Sequence, residues 1–162
     1  MSMLILKLKW QRLVDDKKRT CPRCSGTEGE LDRAYLKLRE ALSPLGIGVV
    51  LEKKELSLEE FKANPLASNQ LWIGEKTLEE WLSAMTGKSR CCDVCGDNEC
   101  RTVKIRDQVY ETIPASMIIK AGLMAAAEML PVEREVGTEV GTFIRFKNTS
   151  KEVRGDGGKG KS

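Results

Sequence analysis

The sequence predicts an α/β protein, a sheet with helices packed against it. Two observations predict this. Short apolar runs with a period of two alternate along the chain with stretches of helical period, in the order β-α-β-α-β-(β)-α. Capping-box spacings, Ser or Thr followed three residues later by Glu, stand before three of the helical stretches: Thr27/Glu30, Ser57/Glu60 and Thr77/Glu80.

The first strand falls in "MLILKLKWQRLV", where Leu4, Leu6, Leu8 and Trp10 share one face. A charged turn, "DDKKRT", leads to Cys21 and Cys24. A helix is expected from about Glu28, with Thr27 as its N-cap. Its stripe is Leu31, Ala34, Tyr35, Leu38, Leu42 and Leu45, and Pro44 and Gly46 close it. "GIGVVLEKK" reads as a second strand, apolar enough to be central. A short helix follows Ser57 and ends near Pro65. "NQLWIG" is a third strand with a tight turn at Gly74-Glu75, and "LEEWLSAM" is a helix that Gly87 stops. "RTVKI" and "QVYETI" form a hairpin around Arg106-Asp107. Pro114 opens a helix that runs to about Leu130. It is apolar on nearly every side, so it is expected to be deeply buried or to form a homodimer interface through residues 115–130. "TEVGTFIRF" is a candidate edge strand.

A chain of 162 residues, 41% hydrophobic and 31% charged, can bury a full core without disulfides. The expected organisation is one domain over residues 1–146, with a cysteine-rich loop at 88–102, and a disordered basic, Gly-rich tail at 147–162. That tail carries five basic and two acidic residues, which leaves the body balanced at 22 of each. A neutral body with few aromatics predicts no specific nucleic-acid partner. The longest apolar stretch is interrupted by Lys120 and Glu128, and Lys7 and Lys9 break the N-terminal run. Neither a membrane span nor a signal peptide is expected, and the expected location is cytoplasmic. There is no P-loop, dinucleotide-binding glycine motif or serine elbow. With no histidine, imidazole acid–base chemistry is excluded. Trp10, Trp72 and Trp81 are read as core or cleft-lining residues, and Glu79 and Glu80 as a helix face and cap.

Six cysteines remain, and in a reducing compartment clustered thiols bind metal or do redox chemistry. Cys21 and Cys24 can close a disulfide or grip one metal ion. Lys17, Lys18, Arg19 and Arg23 would lower a nearby thiol pKa, so these two are the candidate catalytic dithiol, Cys21 attacking and Cys24 resolving. The Pro and Gly of "CPRCSG" equally suit a zinc knuckle. Cys91, Cys92, Cys95 and Cys100 form a second run, C-C-x-x-C-x4-C, with Gly96 permitting a tight turn. They are the candidate metal ligands, with Asp93, Asp97 and Glu99 able to complete a site. Sulfur donors suit zinc and, less well at this spacing, an iron–sulfur cluster. The two runs also pair as C-x2-C…C-x2-C, and that pairing depends on the fold bringing them together.

"CPRC", "LGIGVVLEKKEL", "SNQLWIGEKTLEEWL" and "CCDVCGDNECRTV…YETIP" together resemble the thioredoxin-like family catalogued as domain of unknown function 2703, over residues 3–130. The most specific element is the string from Cys91 to Thr102. The resemblance implies a thioredoxin-like mixed sheet flanked by helices, with the dithiol between first strand and first helix. It implies no activity, as the family's name states. Such folds carry a cis-proline before the third strand, facing the dithiol. Here "ASNQLWIG" has Ser68-Asn69 at that place, which argues against general protein-disulfide exchange and suits a small thiol or disulfide, or a thiophilic metal. The functional expectation is therefore a redox or soft-metal-capturing dithiol domain. The alternative is a non-enzymatic zinc-binding or Fe–S module in which both clusters are structural.

Overall fold

The computed structural model describes residues 2–91 and 93–132. Met1, Cys92 and the expectations for residues 133–162, among them the edge strand and the basic tail, lie outside the described residues. Eleven helices and strands are described: β1 (Leu4–Leu13), α1 (Pro22–Leu42), β2 (Ile47–Leu56), α2 (Leu58–Ala63), β3 (Gln70–Ile73), β4 (Lys76–Thr77), α3 (Leu78–Leu82), β5 (Met85–Arg90), β6 (Glu99–Ile105), β7 (Gln108–Tyr110) and α4 (Ala115–Met129).

Four strands form a mixed sheet in the order β2-β1-β3-β4. β1 runs parallel to β2 along its whole length, and β3 is antiparallel to both β1 and β4. This layout is consistent with a thioredoxin-like α/β fold. One face of the sheet carries Leu6, Leu8, Trp10, Ile47, Leu71 and Ile73, each at most 1% exposed. They pack with Leu31, Leu38 and Leu42 of α1 and Ile118 and Ala121 of α4. On the other face Ile5 and Val50 are exposed, Lys7 pairs with Glu52 at 2.5 Å and Lys9 lies over the Trp72 ring.

β2 is an edge strand, not the central strand its apolar start suggests. β1 takes the centre, because it alternates from Leu4 to Trp10 and stays largely buried to Leu13, whereas β2 turns charged after Leu51. Gly46, at φ 72°, ends the short 3₁₀ turn that follows α1, as its place after Pro44 predicts.

Two capping boxes form as expected. The Ser57 and Thr77 side chains accept from the backbone N–H groups of Glu60 and Glu80, whose carboxylates accept in return. The third does not. α1 starts at Pro22, a full turn and more before Thr27, which is buried within it. Thr27 and Glu30 serve the other helix instead. Thr27 Oγ1 accepts from Ile113 N at 3.1 Å, and the Glu30 carboxylate accepts from Ala115 N, the first residue of α4, at 2.8 Å. Pro114, the N-cap of α4, has no side-chain donor or acceptor of its own, so Glu30 caps that helix from outside. That hydrogen bond holds the Glu30 carboxyl below its ordinary pKa.

The cysteine-rich loop is tied down at both ends by strands. β5, β6 and β7 form a second, antiparallel sheet inserted before α4, and the second cysteine run occupies its first turn and the start of β6. α3 ends at Ser83, in the left-handed region, so Gly87 does not stop a helix. It sits in β5 opposite Thr102, whose Oγ1 would lie 2.5 Å from an added Cβ. α4 buries one face, with Ile118, Ala121, Gly122 and Ala125 covered within the chain, and leaves apolar Leu123 and Met124 exposed on another.

Gly122 gives a matched test. An added Cβ would meet Leu38 Cδ1 at 2.6 Å, and Leu38 is fully buried. Gly122→Ala is expected to lose up to about 2 kcal/mol, overpacking of about 1–3 outweighing a helix-propensity gain of about 1. Gly29→Ala, with nothing within 4 Å of the new Cβ, is expected to gain about 0.5–1 kcal/mol by denaturant unfolding.

Candidate metal centre

Asp15 shapes the approach to the site. Its carboxylate accepts from the backbone N–H of Lys17 and Arg19 and pairs with the Arg19 guanidinium at 2.7 Å. Lys18 reaches Glu55 at 3.1 Å. Lys18 and Arg19 are thus paired with carboxylates, and the leading influences on the Cys21 thiol come from elsewhere.

Cys21 is the N-cap of α1. Its sulfur accepts from Cys24 N at 3.4 Å, and its carbonyl accepts from Ser25 N at 2.9 Å as the helix begins. Pro22 suits the first helical position, which has no N–H to satisfy. Hydrogen bonding from the Cys24 thiol first, and the Cys95 thiol next, lowers the Cys21 thiol well below its ordinary pKa, against the opposing effect of burial. The Cys24 thiol is raised, by its bond to Cys21 first and by burial second. Cys24 Sγ also lies 3.6 Å from Ser68 Oγ, which accepts from Leu13 N. Ser68 therefore faces the dithiol where the fold resemblance implies a proline, and there is no cis peptide among the described residues.

The second run comes to the same place. The sulfurs of Cys21, Cys91 and Cys95 all lie within 4.8 Å of one another, a group that could hold a metal ion. Four sulfurs around zinc at about 2.3 Å stand about 3.8 Å apart, so small side-chain rotations would close the group on an ion. Cys95 hydrogen-bonds Cys100 first and Cys21 second, and both raise its pKa, while Cys100 is lowered chiefly by that bond from Cys95. Burial first, then the bond to Cys21, raises Cys91. All five described cysteines are free thiols. Cys24 and Cys100 stand beside the three-sulfur group rather than in it, and Cys92, the remaining sequence candidate, lies outside the described residues.

Arg23 holds the two segments together. Its guanidinium donates to Arg90 O at 2.9 Å and Ser89 O at 3.4 Å, at the end of β5, and pairs with Glu111 at 2.9 Å. Its side chain is only 5% exposed. In the sequence Arg23 was one basic residue among four; nothing local marks it as a clamp. Arg101, in the "CRT" string, does similar work on the far side. It pairs with buried Glu79 at 2.5 Å and donates to Leu66 O at 2.7 Å, in the turn leading to Ser68. Glu79 is thus an ion-pair partner rather than an exposed helix face. Trp72 lies on the open sheet face under Lys9, away from the thiols. A cleft of about 280 Å³ opens above the sulfurs, lined by Pro22, Arg23, Cys91, Glu111 and Thr112.

No helix among the described residues is long and apolar enough to cross a membrane. The sequence profile of the family described as Domain of unknown function (DUF2703) matches residues 6–122. The chain is 47% identical over 113 residues to an "Uncharacterized protein" of Archaeoglobus fulgidus, covering 70% of this chain and 82% of that one. No solved structure matches it. The chain belongs to this family.

Replacing Arg23 tests the clamp. Each lost hydrogen bond from a buried charge is worth about 1.5–3 kcal/mol, and tenfold in opening costs about 1.4. Arg23→Met is expected to raise the alkylation rate of native Cys95 and Cys100 at least about tenfold. Tyr110, on the second sheet's far strand, should keep its environment by fluorescence.

Proposed function

We propose that this member of the DUF2703 family captures a thiophilic metal ion, with Cys21, Cys91 and Cys95 as ligands. The observation that carries the reading is the convergence of these three sulfurs from segments far apart in sequence. Sulfur donors with no imidazole select soft or borderline ions, such as zinc, cadmium or copper(I), over hard ones. Three protein sulfurs leave one tetrahedral position for a further ligand, the arrangement of a site that exchanges ligands rather than a closed structural one. Leucine, isoleucine, tryptophan and phenylalanine side chains supply most of the core that the site's cysteines join, so the ion is cargo more than staple. Zinc is the ion this donor set fits best, and an iron–sulfur cluster would need a fourth cysteine thiolate.

A second reading, thiol–disulfide exchange at Cys21 and Cys24, draws on the Cys24 N–H that donates to the Cys21 sulfur and on the opposed directions of their two pKa values. Cys21 would attack a small disulfide, releasing one thiolate. Cys24 would then displace the second and leave a Cys21–Cys24 disulfide.

The two readings require different residues. Under metal capture, reduced protein binds one cadmium ion. Cys21→Ser and Cys95→Ser are each expected to lower its affinity by more than about 100-fold, beyond the 10–100-fold of an outer-shell change, with Cys24→Ser close to wild type. If Cys24→Ser abolishes turnover of a small disulfide and none of the variants alters cadmium binding, exchange is the function and capture is not.

A further inference from the structure

Three of the described sulfurs that touch one another are sealed off. Cys21 and Cys95 are each 2% exposed and Cys100 is fully buried. Cys91 is the half-buried one, and it alone among the described cysteines lines the 280 Å³ cleft. It is also within 4.8 Å of both Cys21 and Cys95. Of the described cysteines, Cys91 is the one that an ion entering through this cleft meets first. The walls of that passage are polar. Arg23 lies along it with its charge matched by Glu111, which is 58% exposed and also accepts from Ser89 Oγ. A positive ion therefore does not meet an unpaired guanidinium on the way in.

We propose that Cys91 is the receiving ligand. It takes the ion from a complex with a small thiol that enters through this cleft, and passes it inward to Cys21 and Cys95. The proposal rests on the reading that these three sulfurs hold the ion. The step is ligand exchange. Cys91, its proton gone to solvent, bonds the metal as the metal–sulfur bond to the carrier breaks. The carrier leaves as a thiolate and is protonated by water. Bonds from Cys21 and Cys95 follow, and no electron changes hands. A cleft of 280 Å³ lies just below the usual range of ligand-sized pockets, and it has room for an ion with one small thiol.

The test is stopped-flow mixing of the reduced full-length protein with cadmium in excess 2-mercaptoethanol, followed by thiolate-to-cadmium charge-transfer absorbance. Cys91→Ser is expected to lower the association rate constant at least tenfold. Cys95→Ser is expected to act mainly on dissociation, where most affinity differences between related complexes lie, with association changed less than in Cys91→Ser. Thr112→Trp, which plugs the cleft from a residue that is neither a ligand nor part of the Arg23–Glu111 pair, is expected to slow association and dissociation together and leave the affinity unchanged. The proposal is overturned if Cys91→Ser changes dissociation alone, if Cys92→Ser slows association as much as Cys91→Ser, or if Thr112→Trp leaves both rates as they were. In each of those cases a wild-type charge-transfer band keeps metal capture itself intact. Absence of the band in the wild type overturns both.

Discussion

The guanidinium of Arg23, bonded to the carbonyls of Ser89 and Arg90, is the interaction on which the centre depends. It stands one position before Cys24 in the first turn of α1, and its acceptors stand immediately before Cys91 at the end of β5. One side chain thus fixes the distance between the start of α1 and the end of β5 in the second sheet. A buried arginine is tolerated only when its donors are satisfied and its charge is matched. Here two carbonyls and Glu111 do both. The same residue faces the cleft, so the clamp that assembles the sulfurs also forms one wall of the passage to them.

The thiols arranged by this clamp form one network. Cys21 receives hydrogen bonds from the backbone N–H of Cys24 and from neighbouring thiols, which hold its pKa below the ordinary value, as the bond from Cys95 does for Cys100. A helix N-terminus favours the same outcome. Ser68 gives Cys24 a polar neighbour in a buried position. The seat of Ser68 is fixed in turn by Leu13 N and by Arg101, through the turn that Arg101 holds at Leu66. Arg101 lies in the most specific stretch of the sequence, and its structural task is to hold this seat and to join β6 to α3 through Glu79.

Local signals in the sequence were legible where local physics decides the outcome. Ser57/Glu60 and Thr77/Glu80 cap the helices they precede because no other element competes for their side chains. Thr27/Glu30 has the same spacing and was misread, because α4 docks where those side chains point and takes their bonds. The strand–helix order, the hairpin at Arg106-Asp107 and the helix after Pro114 could all be read, but not the edge position of β2, which depends on which strand the others choose as neighbour. For the site, the sequence named all the cysteines and left open whether the two runs meet. Their meeting is tertiary, and it is made by Arg23, whose neighbours in sequence disguise it. The strand that leads into the cysteine loop was missed for a related reason: the pairing of Lys88 with Arg101 and Ser89 with Cys100 is invisible without knowing the register.

The central claim is that Cys21, at the start of α1, and Cys95, in the turn between β5 and β6, bind one ion together with Cys91. Zinc-edge X-ray absorption on the reduced, zinc-loaded protein tests it most directly. The account predicts a first shell with at least three sulfurs at about 2.3 Å. One sulfur should be lost in Cys21→Ser and one in Cys95→Ser, and none in Cys24→Ser. A shell dominated by oxygen or nitrogen at about 2.0–2.2 Å, or a sulfur count that falls in Cys24→Ser and not in Cys95→Ser, would contradict it.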